Sequence, residues 1–193
     1  MNPSFALLLA GLLAAPLAAA DQLPLFQVGM NGGYRMGGGL EDSDTGADRD
    51  FEDDSSFALA LELRYDKGDD RFYQLWYSRQ ATEVDDGTGG FDADIEYLHI
   101  GGTLPFGGWE HAQPYFAAGI GATRFSGSMA FGLEIPLATH AAVRLEARGY
   151  LTAVDTSTSF FCRSDGGEGV CRIVASGSAI LQSEALAGIL VRF

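Results

Sequence analysis

Lysine is almost missing from this chain. Lys67 stands alone against eleven arginines, and 26 acidic residues against 12 basic ones give a formal net charge of −14. So acidic a chain is repelled by a polyanion, which excludes nucleic acid as a partner. Cysteine is equally scarce, at two residues, Cys162 and Cys171, and their spacing is not the CxxC of a redox or metal motif. No run of 18 apolar residues occurs after Asp21, so no membrane-spanning helix is available. At 193 residues there is no room for a second sizeable core. In place of what is lacking come 26 glycines, 13 Phe, 7 Tyr and 2 Trp, a combination commoner in β architectures than in helical ones.

Residues 5–20 are an uncharged apolar run ending in Ala18-Ala19-Ala20 before Asp21. This reads as the hydrophobic region and A-x-A cleavage site of a secretory signal peptide over 1–20, with the mature domain at 21–193. Pro16 interrupts the run and makes it a poor membrane anchor. Export leaves the periplasm, the outer membrane or the medium as the destination.

Beyond Asp21 the apolar residues recur with period two in segments of about ten residues. Phe57, Leu59, Leu61, Leu63 and Tyr65 alternate with Ala58, Ala60, Glu62 and Arg64. The same split predicts strands over 26–40, 128–136, 143–152 and the C-terminal segment to Phe193. Three further strands, over 71–83, 92–104 and 113–125, follow it less cleanly, because Arg79 and Glu96 break the apolar face, as residues near a rim would. Eight strands result. Eleven residues at about 3.3 Å each, tilted about 45°, rise close to 25 Å, the height of the apolar band on an outer-membrane barrel. Connections 41–55, 84–91 and 155–180 are long and 67–70 and 137–140 are tight, which is the two-sided pattern of such a barrel, although the turn at 105–112 is eight residues and the loop near Ser126-Gly127 is almost absent.

Alternation alone leaves the orientation open, since a secreted lipocalin-like barrel would turn its apolar face inward around a ligand. The composition of the polar face favours the opposite. It carries Gly and Ala with Arg35, Arg64, Arg144, Arg148 and Arg192 and with Glu62, Glu134, Glu146 and Glu184. Five positive and four negative charges among small residues suit a narrow interior, where an unpaired ion costs several kcal/mol and bidentate Arg–Glu pairing offsets that cost. These nine residues are the expected lumen ion-pair network.

Pro114-Tyr115-Phe116-Ala117-Ala118-Gly119-Ile120-Gly121, the strand Tyr97-Leu98-His99-Ile100-Gly101-Gly102 and the terminal Val191-Arg192-Phe193 resemble the small outer-membrane β-barrel family that includes the OmpA transmembrane domain and OmpX. The resemblance covers 21–193. It implies an all-β, eight-stranded antiparallel up-and-down barrel in the outer membrane of a Gram-negative bacterium, in contact with lipid and lipopolysaccharide. It also implies periplasmic chaperones and the barrel-assembly machinery as partners in biogenesis, with Phe193 as the insertion signal. Val191 stands where a second aromatic is often found.

The loop 41–55 holds eight acids and one base. Its spacing does not match an EF-hand, so it is expected to be a solvated loop, with divalent bridging to lipopolysaccharide phosphates as the other reading. Cys162 and Cys171, in the longest loop of an exported chain, are expected to form a disulfide. His111 and His140 fall in turns, and His99 shares the inward face with Tyr97 and Thr103. Some members of the resembled family are lipid A enzymes that use Ser and His. No His-x-Ser occurs here, and Ser78 is the strand serine to nominate beside His99. The expectation is therefore no catalytic residue, no metal and no cofactor. The expected role is a non-catalytic barrel serving envelope integrity or surface interaction through loops 41–55 and 155–180, against the alternatives of a small-solute channel, a lipid A enzyme or a lipocalin-like binder.

Overall fold

A computed structural model of the chain describes residues 25–41, 48–66, 70–84, 91–121, 125–153, 159–165, 168–174 and 179–193. The expected signal peptide lies outside them. Twelve strands are present among these residues: β1 (Phe26–Met36), β2 (Gly39–Glu41), β3 (Asp48–Asp50), β4 (Asp54–Arg64), β5 (Phe72–Val84), β6 (Phe91–Pro105), β7 (Gln113–Gly121), β8 (Ser126–Ala138), β9 (Ala141–Ala153), β10 (Ser159–Asp165), β11 (Glu168–Val174) and β12 (Ala179–Arg192). Eight of them close a barrel in the order β1-β12-β9-β8-β7-β6-β5-β4, while β2–β3 and β10–β11 form separate two-stranded hairpins.

Every neighbouring pair in the barrel is antiparallel, and the first and last strands close it from Gln27 opposite Arg192 to Met36 opposite Ser183. Closure leaves no sheet edge around the belt, which is what a strand protein needs where no water can satisfy backbone groups. The period-two pattern decides the facing. On β4, Ala58, Ala60, Glu62 and Arg64 are buried and Phe57, Leu61 and Leu63 are exposed. On β9 the buried residues are Ala142, Arg144, Glu146, Arg148, Tyr150 and Thr152, while Leu145 and Leu151 point outward. The apolar face therefore looks out and the polar face in, which discards the ligand-enclosing lipocalin-like orientation.

Leu25 and Phe193 meet at the rim that carries the short turns, where Leu25 N–H donates to the Phe193 carbonyl (3.1 Å) and Phe193 N–H to that of Phe26 (2.8 Å). In barrel topology this is the periplasmic rim, and the long connections are extracellular. Outward aromatics mark both levels: Phe26, Tyr65, Tyr73, Trp109 and Phe193 near the short turns, Tyr34, Phe57 and Phe125 toward the long loops. Arg79, bonded to Asp94 at 2.9 and 3.2 Å, stands on the outer face two residues beyond Tyr77.

Three boundaries differ from the sequence reading. The strand expected over 26–40 stops at Met36, because Gly37 and Gly38 adopt φ values of +75° and +100° and turn the chain into the β2–β3 hairpin. The expected loop 41–55 thus contains β3 and the first residues of β4. The strand expected to 125 stops at Gly121, while β6 continues up to Phe91; among the described residues, Phe91–Leu98 pair only with β5.

Candidate functional site

The distinctive chemistry of this molecule lies inside the barrel, where alternate positions of all eight strands converge in three tiers. The tier nearest the periplasmic rim centres on Arg144, fully buried on β9. Its guanidinium donates to both carboxylate oxygens of Glu62 across the lumen (3.0 and 2.9 Å) and to Glu134 on β8 (2.6 Å). The other oxygen of Glu134 accepts from Arg192 at 2.6 Å. Glu62 also accepts from Gln27 (2.5 Å), Gln74 (2.7 Å) and Thr103 (2.8 Å), so its lone pairs are occupied by donors from four other strands. The Tyr115 ring lies 4.8 Å from the Arg144 guanidinium and fills the space above Gly132, where a Cβ would sit 2.1 Å from the ring.

The middle tier is built on Arg148. It donates to Glu146 (2.7 Å), to Ser128 (3.0 Å) and to Gln74 (3.0 Å), and its guanidinium stacks 3.8 Å from the centroid of the Trp76 ring. The Tyr115 hydroxyl donates to the second oxygen of Glu146 at 2.6 Å.

The tier toward the extracellular end centres on Glu184. It accepts from Arg35 (3.0 Å), Ser78 (3.0 Å) and the Tyr150 hydroxyl (2.5 Å), and Arg35 also donates to Ser78. Tyr150 and Tyr97 stack at 4.3 Å, with the Arg35 guanidinium about 5 Å from both rings. Trp76 Nε1–H donates to Tyr150 (2.9 Å), which ties this tier to the one below. Tyr97 in turn donates to Gln182 (2.8 Å), whose amide donates to the Gly37 carbonyl at the mouth.

Of the nine lumen residues read from the sequence, the structure brings eight into direct ion pairs: Arg144 with Glu62 and Glu134, Arg192 with Glu134, Arg148 with Glu146, and Arg35 with Glu184. The ninth, Arg64, faces inward at the periplasmic rim, lies over the Phe72 ring and reaches Asp70 at 3.5 Å rather than a lumen glutamate. The paired set is therefore four against four, not five against four. Desolvated charges persist in such a place only when paired and hydrogen-bonded, and six of these eight ions, all but Glu134 and Arg192, also have neutral hydrogen-bond partners or an aromatic face beside them. The sequence reading missed much of that support, including Trp76, Tyr115 and the glutamines at 74 and 182. Their phase along the strands was the available signal.

His99 requires a correction. Ser78 is not beside it, being committed to Glu184 and Arg35. His99 Nδ1 instead meets Ser128 (2.7 Å) and Nε2 meets Ser126 (3.0 Å). Both serines are on β8, one strand beyond its neighbour β7. Gly119 and Gly121 on β7 open that path: a Cβ on Gly121 would lie 2.9 Å from His99 Nε2 and 2.0 Å from Ser126 Oγ. With a serine on each ring nitrogen, no carboxylate among the described residues orients the imidazole as hydrolysis by a Ser-His pair requires.

In the hairpin outside the barrel, the backbone register sets Cys162 directly opposite Cys171. Among the described residues no group of three or more His, Cys, Asp or Glu side chains has the arrangement of a metal site.

Comparison with known proteins returns one family: residues 5–161 match the model described as outer membrane protein beta-barrel domain. Among solved structures, the crystal structure of Neisserial surface protein A aligns with a TM-score of 0.54 at 12% identity, over 87% of this chain and 97% of that one. The solid-state NMR structure of outer membrane protein AlkL in lipid bilayers gives 0.48 at 12% identity, over 93% and 96%. No curated protein matches the sequence.

Proposed function

The chain belongs to the outer membrane protein β-barrel domain family and resides in the outer membrane of a Gram-negative bacterium, and from that premise we propose that it is a non-catalytic barrel with a sealed lumen, working through its extracellular end. The charged tiers serve as a rigid plug that fixes the wall. Loops 41–55 and 155–180, held above that plug, carry the work, in envelope integrity or in binding a partner outside the cell.

The observation that supports this reading is the span of the ion pairs. Arg144 on β9 grips Glu62 on β4 across the lumen, three strands away around the wall, and Glu184 on β12, paired with Arg35 on the neighbouring β1, accepts from Ser78 on β5, also three strands away. Eight strands leave an interior just wide enough for side chains. A water path would have to part these ions, and separating a buried pair costs several kcal/mol. Purified protein in planar bilayers is therefore expected to pass no steady current; an ohmic single-channel conductance would defeat the plug and restore the channel.

A lipid A enzyme is the other reading that a particular contact invites, because His99 touches two serines. That trio faces the lumen, away from acyl chains, and has no acid partner among the described residues. Mass spectra of lipid A from an overexpressing strain are expected to be unchanged, and identical for the wild type and His99→Ala. A new or missing acyl chain that depends on His99 would overturn the non-catalytic assignment.

A further inference from the structure

On the outer wall between β5 and β6 the sequence places Tyr73 opposite Gly102, with Ile100 and Leu104 as the next outward residues along β6. The missing side chain at 102 leaves a groove of about 260 Å³ whose walls include Tyr65, Tyr73 and Leu104, with almost no polar surface, and whose periplasmic end is closed by Arg71. Tyr65 and Tyr73 pack at 5.3 Å between ring centroids, and the Arg71 guanidinium sits 4.9 Å from the Tyr65 centroid. The groove thus starts at the aromatic level of the periplasmic rim and runs into the apolar band, with a cation at its mouth.

We propose that this groove is a binding site for one phospholipid of the periplasmic leaflet, its acyl chain lying over Gly102 between Tyr73 and Leu104 and its phosphate on Arg71. The occupant follows from the address and the chemistry. This face is turned to lipid, the channel is as narrow as one absent side chain, and among the described residues its one charged lining residue is a cation placed at headgroup depth. A guanidinium has five N–H donors in a planar fork, so it can accept a phosphate beside the contacts it already makes. Outward glycines also stand at 32 and 149; at 102 the gap is walled by Tyr73 and Leu104 and has a cation at its end, so a chain can seat next to backbone with its headgroup on Arg71.

The test uses the full-length protein, purified in detergent, mixed with dioleoyl phosphatidylglycerol and analysed by native mass spectrometry. The wild type is expected to retain one lipid molecule. Arg71→Gln should retain about fivefold less, the factor that one interfacial cation contributes to an anionic headgroup. Gly102→Leu should abolish retention, since a Cβ at 102 points into the groove and meets only the Phe72 carbonyl, at 3.1 Å. Glycerol phosphate at the same concentration should not compete; full competition would remove the acyl chain from the site. Equal retention by the wild type and by variants with native heat-modifiable mobility on gels would overturn the proposal. So would a dimer peak in place of the lipid adduct, because a second copy would then be the occupant. Should Gly102→Leu fail to fold, Arg71→Gln decides alone, since its side chain lies outside the ladder of the wall.

Discussion

At the scale of single residues, Arg144 carries more of the lumen than any other side chain. Among the described lumen residues it is the cation in contact with two carboxylates, and both are buried. Replacing it with Met keeps the volume and removes the charge. Glu62 and Glu134 would then share the lower tier, with Arg192 reaching only the second. Breaking a buried pair from one side costs about 3–5 kcal/mol, because the remaining ion has nothing to replace its partner. Arg144→Met should therefore unfold at markedly lower urea in lipid vesicles. Arg144→Met combined with Glu62→Met should recover part of the loss, because the double substitution leaves no orphaned carboxylate at 62. A double variant weaker than the single one by the full cost of a second deletion would mean that the two residues do not act as a pair.

At the scale of elements, the β10–β11 hairpin stands apart from the wall: its two strands pair with each other, in a sheet separate from the barrel. Cys162 and Cys171 are opposite residues in that ladder, and in an oxidising compartment we expect them to be joined. Closing ten residues would stabilise the loop by roughly 2.7 kcal/mol, chiefly by restricting its unfolded alternatives. Thiol titration of protein isolated without reductant should find no reactive cysteine, and Cys162→Ser should expose one thiol and speed proteolysis of the loop while barrel mobility on gels stays native. Two free thiols in the native protein would dismiss the staple. The strands themselves were largely legible from period two, because a strand with lipid on one side and packed ions on the other leaves little freedom in what each position holds. What was illegible depended on glycine. Gly37 and Gly38 ended β1 early through backbone conformations that alternation does not register. Gly119 and Gly121 let His99 reach past β7 to serines that face-counting could not choose between. Phase gives the side of the wall on which a residue lies; the partner across the lumen depends on register and on which intervening side chains are absent. Arg64 was read correctly as inward, yet its height at the rim gives it Asp70 in a turn instead of a lumen glutamate.

At the scale of the molecule, everything depends on closing the first strand against the last, and that seam ends at Phe193. Its ring lies 6.0 Å from that of Phe26, and its backbone N–H and carbonyl both bond to the opposite terminus. Phe193 therefore has two separable roles to weigh, a packing contact in the finished barrel and the proposed signal read during assembly. Alanine at either 26 or 193 removes the same ring contact while leaving the backbone seam intact. If packing is the whole of it, Phe26→Ala and Phe193→Ala should be equally harmless or equally harmful in every assay. If Phe193 is also the insertion signal, the two should refold alike in synthetic vesicles, with urea midpoints close together, but part in the cell. Phe26→Ala should reach the outer membrane at wild-type levels, and Phe193→Ala should accumulate several-fold less there and be degraded in the periplasm. Equal yields of folded, heat-modifiable protein from outer-membrane fractions of the two strains would remove the signal role. Because the vesicle experiment holds the contact constant, a difference confined to cells reports recognition rather than stability.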